Sequence, residues 1–174
     1  MAAHIHATNP LKLPYFVADA GGKYSARRSL TEAQIIKAAA LLLNQRVERG
    51  DLMNTPELVG TYFQTRLRER DREVFACLYL SAPLQVIQYE ELFKGTVDTA
   101  AIYPREVVKR CVQLGASSLF IAHNHPSGDL WPSDADRNIT NLLKQALQLI
   151  DVRLLDHFII GNGAPFSFAQ RGLI

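Results

Sequence analysis

Two histidines one residue apart close an apolar run in "LFIAHNHPSGDLWPSDADRNIT", residues 119–140, and Asp129, Asp134 and Asp136 follow in the same stretch. Residues i and i+2 of a strand point to one side, so His123 and His125 present both imidazoles in the same direction where the strand runs out. Ser133 has the character of a helix N-cap. Asp136 then falls at the third helical position, where a carboxylate is electrostatically favoured. Two imidazoles and one carboxylate are a typical catalytic zinc set, because three protein ligands leave a fourth tetrahedral position for water. The metal lowers the pKa of that water and polarises a carbonyl. Such a site also needs a general base and a group that stabilises an oxyanion.

A plainer reading stands beside this one. Ser133 and Asp136 form an S-x-x-D capping box whether or not a metal is present, and histidine before Pro-Ser-Gly can be a polar turn. The chain holds its own control in "HIH", where His4 and His6 repeat the spacing but the position eleven after His6 is Val17 and not an acid. That pair reads as a tail feature. The three adjacent letters of "HNH" do not reproduce the nuclease motif of that name, whose residues are spread over a hairpin and a helix.

The elements that must position these groups can be read from periodicity and punctuation. Residues 1 to 28 carry Pro10, Pro14, Gly21 and Gly22 without sustained periodicity and read as an arm. Ser29 and Glu32 form a capping-box signature for a helix over roughly 30 to 48, stopped at Gly50. Thr55 and Pro56 open a second amphipathic helix ending near Asp71. "EVFACLYL" (73–80) and "LQVIQYEELF" (84–93) read as a hairpin turning at Ser81 to Pro83. A third helix runs from Pro104 to a stop at Gly115. A strand follows over about 118 to 124, then a helix over about 134 to 150, the strand "VRLLDHFIIG", and a last short strand in "PFSFAQRGLI".

The chain's 174 residues, 48% hydrophobic and 21% charged, suit one globular domain with an appended arm. A net charge of +2 does not by itself predict nucleic-acid binding. The cluster "RLRERDRE" (66–73) is the local exception, though such a run at a helix end is usually a solvated surface. Cys77 and Cys111 are the only cysteines and lie in apolar patterns, which favours reduced thiols in a cytoplasmic setting. No apolar run of about 18 residues occurs, and the N-terminus lacks the charged start and apolar stretch of a secretory signal. Neither export by that route nor a membrane span is expected.

Taken together, His123-x-His125-Pro126 and Ser133-x-x-Asp136 resemble the H-x-H-P-x6-S-x2-D signature of the JAMM (MPN/JAB) metalloprotease domain, with every fixed position filled. The wider "HNHPSGDLWPSDAD", with upstream "FKGTVDTAAIYPREVVKRC" and downstream "LLDHFIIGNGAPFSFAQRGLI", is similar to the RadC-like branch of that superfamily. The resemblance covers roughly residues 55 to 174 and divides the chain into an N-terminal arm plus helix (1–54) and a JAB/MPN domain (55–174). It implies an α/β fold, a mixed curved sheet flanked by helices of the cytidine-deaminase-like kind, with an N-terminal helical extension.

The resemblance further implies zinc (Zn2+) held by His123, His125 and Asp136, with Ser133 steadying a tetrahedral intermediate. Glu73, just before an apolar strand, matches the place of the family's catalytic glutamate. Glu106, in the first turn of the third helix, is the rival base. Asp156 and His157 alternate to opposite faces, so at most one looks toward the site; His157 reads as a structural residue, with a role beside the ligands as the alternative. Trp131 is expected to pack. The helix-hairpin-helix region of long RadC-like proteins finds no match in the first 54 residues, which weakens any nucleic-acid role drawn from it.

The expected function is zinc-dependent hydrolysis of peptide or isopeptide bonds, with a peptide or protein substrate. Two alternatives remain: a nucleic-acid-associated protein linked to DNA repair or a mobile element, and a non-catalytic MPN-type binding module.

Overall fold

The computed structural model describes residues 13–19, 23–48, 52–95 and 102–174, excluding the side chains of residues 40 and 43–48. The expectations for His4 and His6, for the first part of the arm, and for the stop at Gly50 lie outside the described residues. The chain divides into two compact units, residues 1–44 and 45–174.

In the first unit, β1 (Phe16–Ala18) and β2 (Tyr24–Ala26) form an antiparallel ribbon with Phe16 opposite Ala26. The sequence pattern gives this stretch only as an arm without sustained periodicity. Strands of three residues are too short for a period of two to show. The helix α1 (Glu32–Glu48) starts later than expected, because the operative box is Thr31 with Gln34 and not Ser29 with Glu32. The amide of Gln34 donates to Thr31 Oγ1 (3.4 Å), and the amide of Thr31 donates to Gln34 Oε1 (3.2 Å).

The second unit is a five-stranded sheet of order β4-β3-β5-β6-β7, built from β3 (Val74–Leu80), β4 (Val86–Lys94), β5 (Ser118–Asn124), β6 (Arg153–Ile160) and β7 (Phe166–Ser167). Pairing is antiparallel except between β5 and β6, so the sheet is mixed. Parallel neighbours need a crossover, and α4 (Asp134–Gln148) supplies it. The other helices are α2 (Pro56–Leu67) and α3 (Pro104–Leu114), with a 3-10 turn at Ala169–Arg171. α3 stops where Gly115 adopts φ 62°, a left-handed conformation that costs glycine little.

Every residue of β3 and β5 is buried, as expected for central strands covered on both sides. Phe75, Cys77 and Tyr79 of β3 and Leu119 and Ile121 of β5 pack with Val107 and Cys111 of α3 and Leu143 and Leu147 of α4. On the opposite side, Phe158 meets Phe63 of α2 at 5.9 Å between ring centroids and Phe120 at 6.2 Å. The sheet is therefore the middle of three layers. α2 ends at Leu67, short of the expected Asp71, and the amide of Arg70 turns back to the Leu67 carbonyl. No helix among the described residues is long and apolar enough to cross a membrane.

Candidate metal centre

His123 is the penultimate residue of β5, and His125 lies one residue past its end, where its amide donates to the Ile160 carbonyl at 2.9 Å. That bond continues the parallel register with β6 and keeps His125 on the side that faces α4. Ser133 caps α4: its hydroxyl oxygen accepts from the Asp136 amide (3.1 Å), and its amide donates to Asp136 Oδ2 (2.8 Å). The Ser133 hydroxyl also donates to Oδ2 at 2.7 Å, so the carboxylate is fixed from two sides.

The three side chains converge. His123 Nε2 lies 2.9 Å from His125 Nε2 and 3.1 Å from Asp136 Oδ1, and His125 Nε2 lies 3.7 Å from Asp136 Oδ2. Tetrahedral zinc with bonds of about 2.0–2.1 Å separates its ligand atoms by about 3.3 Å, a value these separations bracket. Among the described residues this is the group of histidine and acid able to hold a metal ion. The nitrogen and oxygen donor set suits zinc or a similar divalent ion. Burial alone would raise the Asp136 carboxyl, but hydrogen bonds with His123, His125 and Ser133 hold it far below the usual carboxylate range. His125 is raised by the Asp136 carboxylate, against burial, with the Asp129 carbonyl and the charge of Glu73 adding to the rise.

Behind these three side chains lies a layer that the sequence pattern leaves largely unresolved. His157 of β6 is wholly buried and places Nε2 2.8 Å from His123 Nδ1. Its Nδ1 lies 2.7 Å from Thr140 Oγ1, and the Thr140 hydroxyl donates to the Asp136 carbonyl one helical turn back at 2.5 Å. Burial, assisted by the nearby His123, pushes the His157 imidazole well below its ordinary value and keeps it neutral. Asp156 faces away, as alternation predicts, and accepts from the Ser167 hydroxyl and from the amides of Ala169 (2.9 Å) and His157 (2.7 Å). It anchors the C-terminal segment. His125 is oriented differently, with Nδ1 2.9 Å from the Asp129 carbonyl.

Asn124, between the two histidines, points to the other side and is buried. Its Oδ1 accepts from the Val74 amide (2.8 Å), and its Nδ2 donates to the carbonyls of Arg72 (3.1 Å) and Arg70 (3.4 Å). The backbone on both sides of Glu73 is thereby tied to the end of β5. Phe75 pairs with His123, and continuing that antiparallel register by two residues sets Glu73 opposite His125 on the same side of the sheet. Glu106 is partly exposed and pairs with Arg105 (3.6 Å) and Lys109 (3.7 Å).

Arg66, Arg70 and Arg72, near the end of α2, have their own partners. Arg66 lies over the rings of Tyr62 and Tyr89, Arg70 pairs with Glu91 at 2.5 Å, and Arg72 lies 3.7 Å from Asp71. Trp131, expected to pack, is 66% exposed and touches Phe166 along one side at 5.9 Å. It sits on a surface loop closed by local bonds, its amide donating to Asp129 Oδ1 at 3.0 Å. Cys77 and Cys111 are buried and free, and burial raises both thiols, Cys111 to about 11.

A mixed sheet whose central strand ends in an H-x-H pair, opposite an aspartate in the first turn of a crossover helix, defines a JAB/MPN-like domain carrying a His-His-Asp group able to bind metal. The RadC-like JAB domain profile matches residues 53–173. The chain belongs to that RadC-like family. It is 47% identical over 175 residues to UPF0758 protein XCV4028 of Xanthomonas euvesicatoria, covering 97% of this chain and 76% of that protein. It is 51% identical over 132 residues to UPF0758 protein Mmwyl1_0624 of Marinomonas sp., covering 76% of this chain and 59% of that one. A UPF0758 protein of Tolumonas auensis is 48% identical over 138 residues, with 79% and 62% covered. The chain thus spans between three fifths and three quarters of the length of these relatives.

Proposed function

We propose that this chain is a zinc-dependent hydrolase of peptide or isopeptide bonds, with residues 55–174 as the hydrolytic domain. The observation that carries the reading is the convergence of His123, His125 and Asp136 within ligand distance, on the side of the sheet that also receives Glu73. When bound, zinc supplies Lewis acidity that polarises a carbonyl and acidifies water.

The chain's own residues do the rest. Glu73, held by the bonds from Asn124 to its flanking backbone, takes a proton from the attacking water and returns it to the leaving amine. Ser133 turns its hydroxyl toward the developing oxyanion, and its amide keeps hold of Asp136 Oδ2 while it does so. Glu106 is engaged with Arg105 and Lys109 and is assigned no part in proton transfer. Trp131, exposed on the loop between the histidines and Asp136, offers an apolar surface for substrate. The substrate is a peptide or protein, and two buried free thiols accord with a reducing, cytoplasmic setting. Arg66, Arg70 and Arg72 are engaged with rings or carboxylates, which lends no support to a phosphate-binding face built on them.

Metal analysis joined to hydrolysis of quenched peptide and isopeptide libraries tests the proposal. Wild-type protein should hold one equivalent of zinc, His123→Ala should lose it, and Glu73→Gln should keep zinc while losing turnover. Absence of stoichiometric zinc from refilled wild-type protein would reject the reading. Full hydrolysis by Glu73→Gln would reject the assignment of the base.

A further inference from the structure

We infer that Thr140 and His157 are positioning residues that lock His123 in the tautomer whose bare Nε2 faces the metal. The inference rests on the metal reading above and concerns how one ligand is prepared. Thr140 has a single hydroxyl hydrogen, and it goes to the Asp136 carbonyl at 2.5 Å. The hydroxyl oxygen can then only accept, so His157 Nδ1, 2.7 Å away, carries a hydrogen. In a neutral ring that leaves a lone pair on His157 Nε2, which faces His123 Nδ1 at 2.8 Å. His123 therefore carries its own hydrogen on Nδ1, and Nε2 is left to coordinate.

His125 reaches the same state by a shorter route, because the Asp129 carbonyl 2.9 Å from its Nδ1 can only accept. A ligating histidine usually leans on a carboxylate, a carbonyl or water, and the first two can only accept. A neutral imidazole can donate or accept. It needs a second partner to decide which nitrogen is bare, and Thr140 fills that need from a mid-helix position where threonine is otherwise a modest choice. Stacking of His157 on Phe168, 4.7 Å apart and 22° from parallel, sets the plane of the ring but not the place of its hydrogen.

The contacts close into a ring. The Asp136 backbone carbonyl orients Thr140, Thr140 orients His157, His157 orients His123, and the bare His123 Nε2 ends 3.1 Å from the Asp136 carboxylate, a separation that a shared metal ion would span. One helix thus supplies both a ligand and the far end of the chain that prepares another ligand.

Two measurements on the full chain test this. Long-range proton–nitrogen NMR correlations on histidine-labelled, zinc-loaded wild-type protein should find the hydrogen on Nδ1 of both His123 and His157. Competition with a zinc chelator should show Thr140→Val, which keeps the shape and removes the hydroxyl, binding zinc about 10–100-fold more weakly, and Thr140→Ser within about threefold of wild type. Wild-type protein that binds zinc but carries the His157 hydrogen on Nε2 would overturn the inference, as would wild-type affinity in Thr140→Val. The NMR arm uses unaltered protein and decides the matter even if a variant fails to fold. Wild-type protein that binds no zinc would instead sink the metal reading on which the inference stands.

Discussion

Asn124→Ala separates the two sides of the strand end. The wild-type side chain serves three backbone groups: the Val74 amide, buried with its residue, and the carbonyls of Arg70 and Arg72, whose residues are exposed. Water can replace the amide at the two carbonyls. It cannot readily reach the Val74 N–H, so the cost is dominated by one orphaned buried donor, about 1–3 kcal/mol, plus about 1 kcal/mol from the other lost bonds. A total near 3 kcal/mol corresponds to a fall in Tm of roughly 6–12 °C for a chain of this size. His123 and His125 point to the other side, so zinc content should be retained while the segment bearing Glu73 loosens and turnover drops. Differential scanning calorimetry, zinc analysis and peptide hydrolysis on one preparation measure all three. An unchanged melting temperature would refute the burial argument, and turnover lost only in proportion to zinc would refute the link to Glu73.

Zinc affinity should depend on pH through His125, which the Asp136 carboxylate raises above the ordinary 6.5. A raised value means that more of the ring carries a competing proton at any given pH, so affinity falls as pH drops through that value, while Asp136, held far lower, stays ionised. Calorimetric titration between about pH 8 and about pH 5.5 reads this, and a flat profile would contradict it. Gly161→Ala should weaken zinc binding by about tenfold. A Cβ there would lie 2.6 Å from the Gly128 carbonyl oxygen and 2.9 Å from that of Asp129, the acceptor for His125, so the loop must move. Chelator competition giving wild-type affinity for this variant would show that the carbonyl does not orient the ring.

The two histidines and Asp136 were legible in sequence because each geometric fact behind them is local: alternation along a strand, and a cap followed by the first helical turn. Helix α3 was legible for the same reason, with Pro104 and Gly115 marking its ends. Thr140 was not, since its partner lies 17 residues away on another element and only the spacing of four from Asp136 hinted at a shared helix face. Asn124 carried a stronger hint: a polar residue amid "LFIAHNH" that alternation turns away from the histidines must find partners inside the protein. Those partners are 50 to 54 residues distant, and pairing of β3 with β5 alone reveals them. Residues 68 to 71 illustrate the reverse error. Helical pattern favoured carrying α2 on to Asp71, but the helix ends at Leu67, where the Arg70 amide turns back to the Leu67 carbonyl and Asn124 takes the carbonyls of Arg70 and Arg72.

Strand β4 forms one outer margin of the five-stranded sheet, and among the described residues its nine residues present a line of main-chain groups with a strand neighbour on one side only. Such margins invite other chains to add on. Here the line carries Glu90, Glu91 and Lys94, with Arg110 bound to Glu90 and Arg70 to Glu91. Charge along that margin is a built-in guard against self-stacking. Neutralising substitutions at the two glutamates would be expected to favour aggregates grown strand on strand, while the His123, His125 and Asp136 group, beyond β3, keeps its geometry.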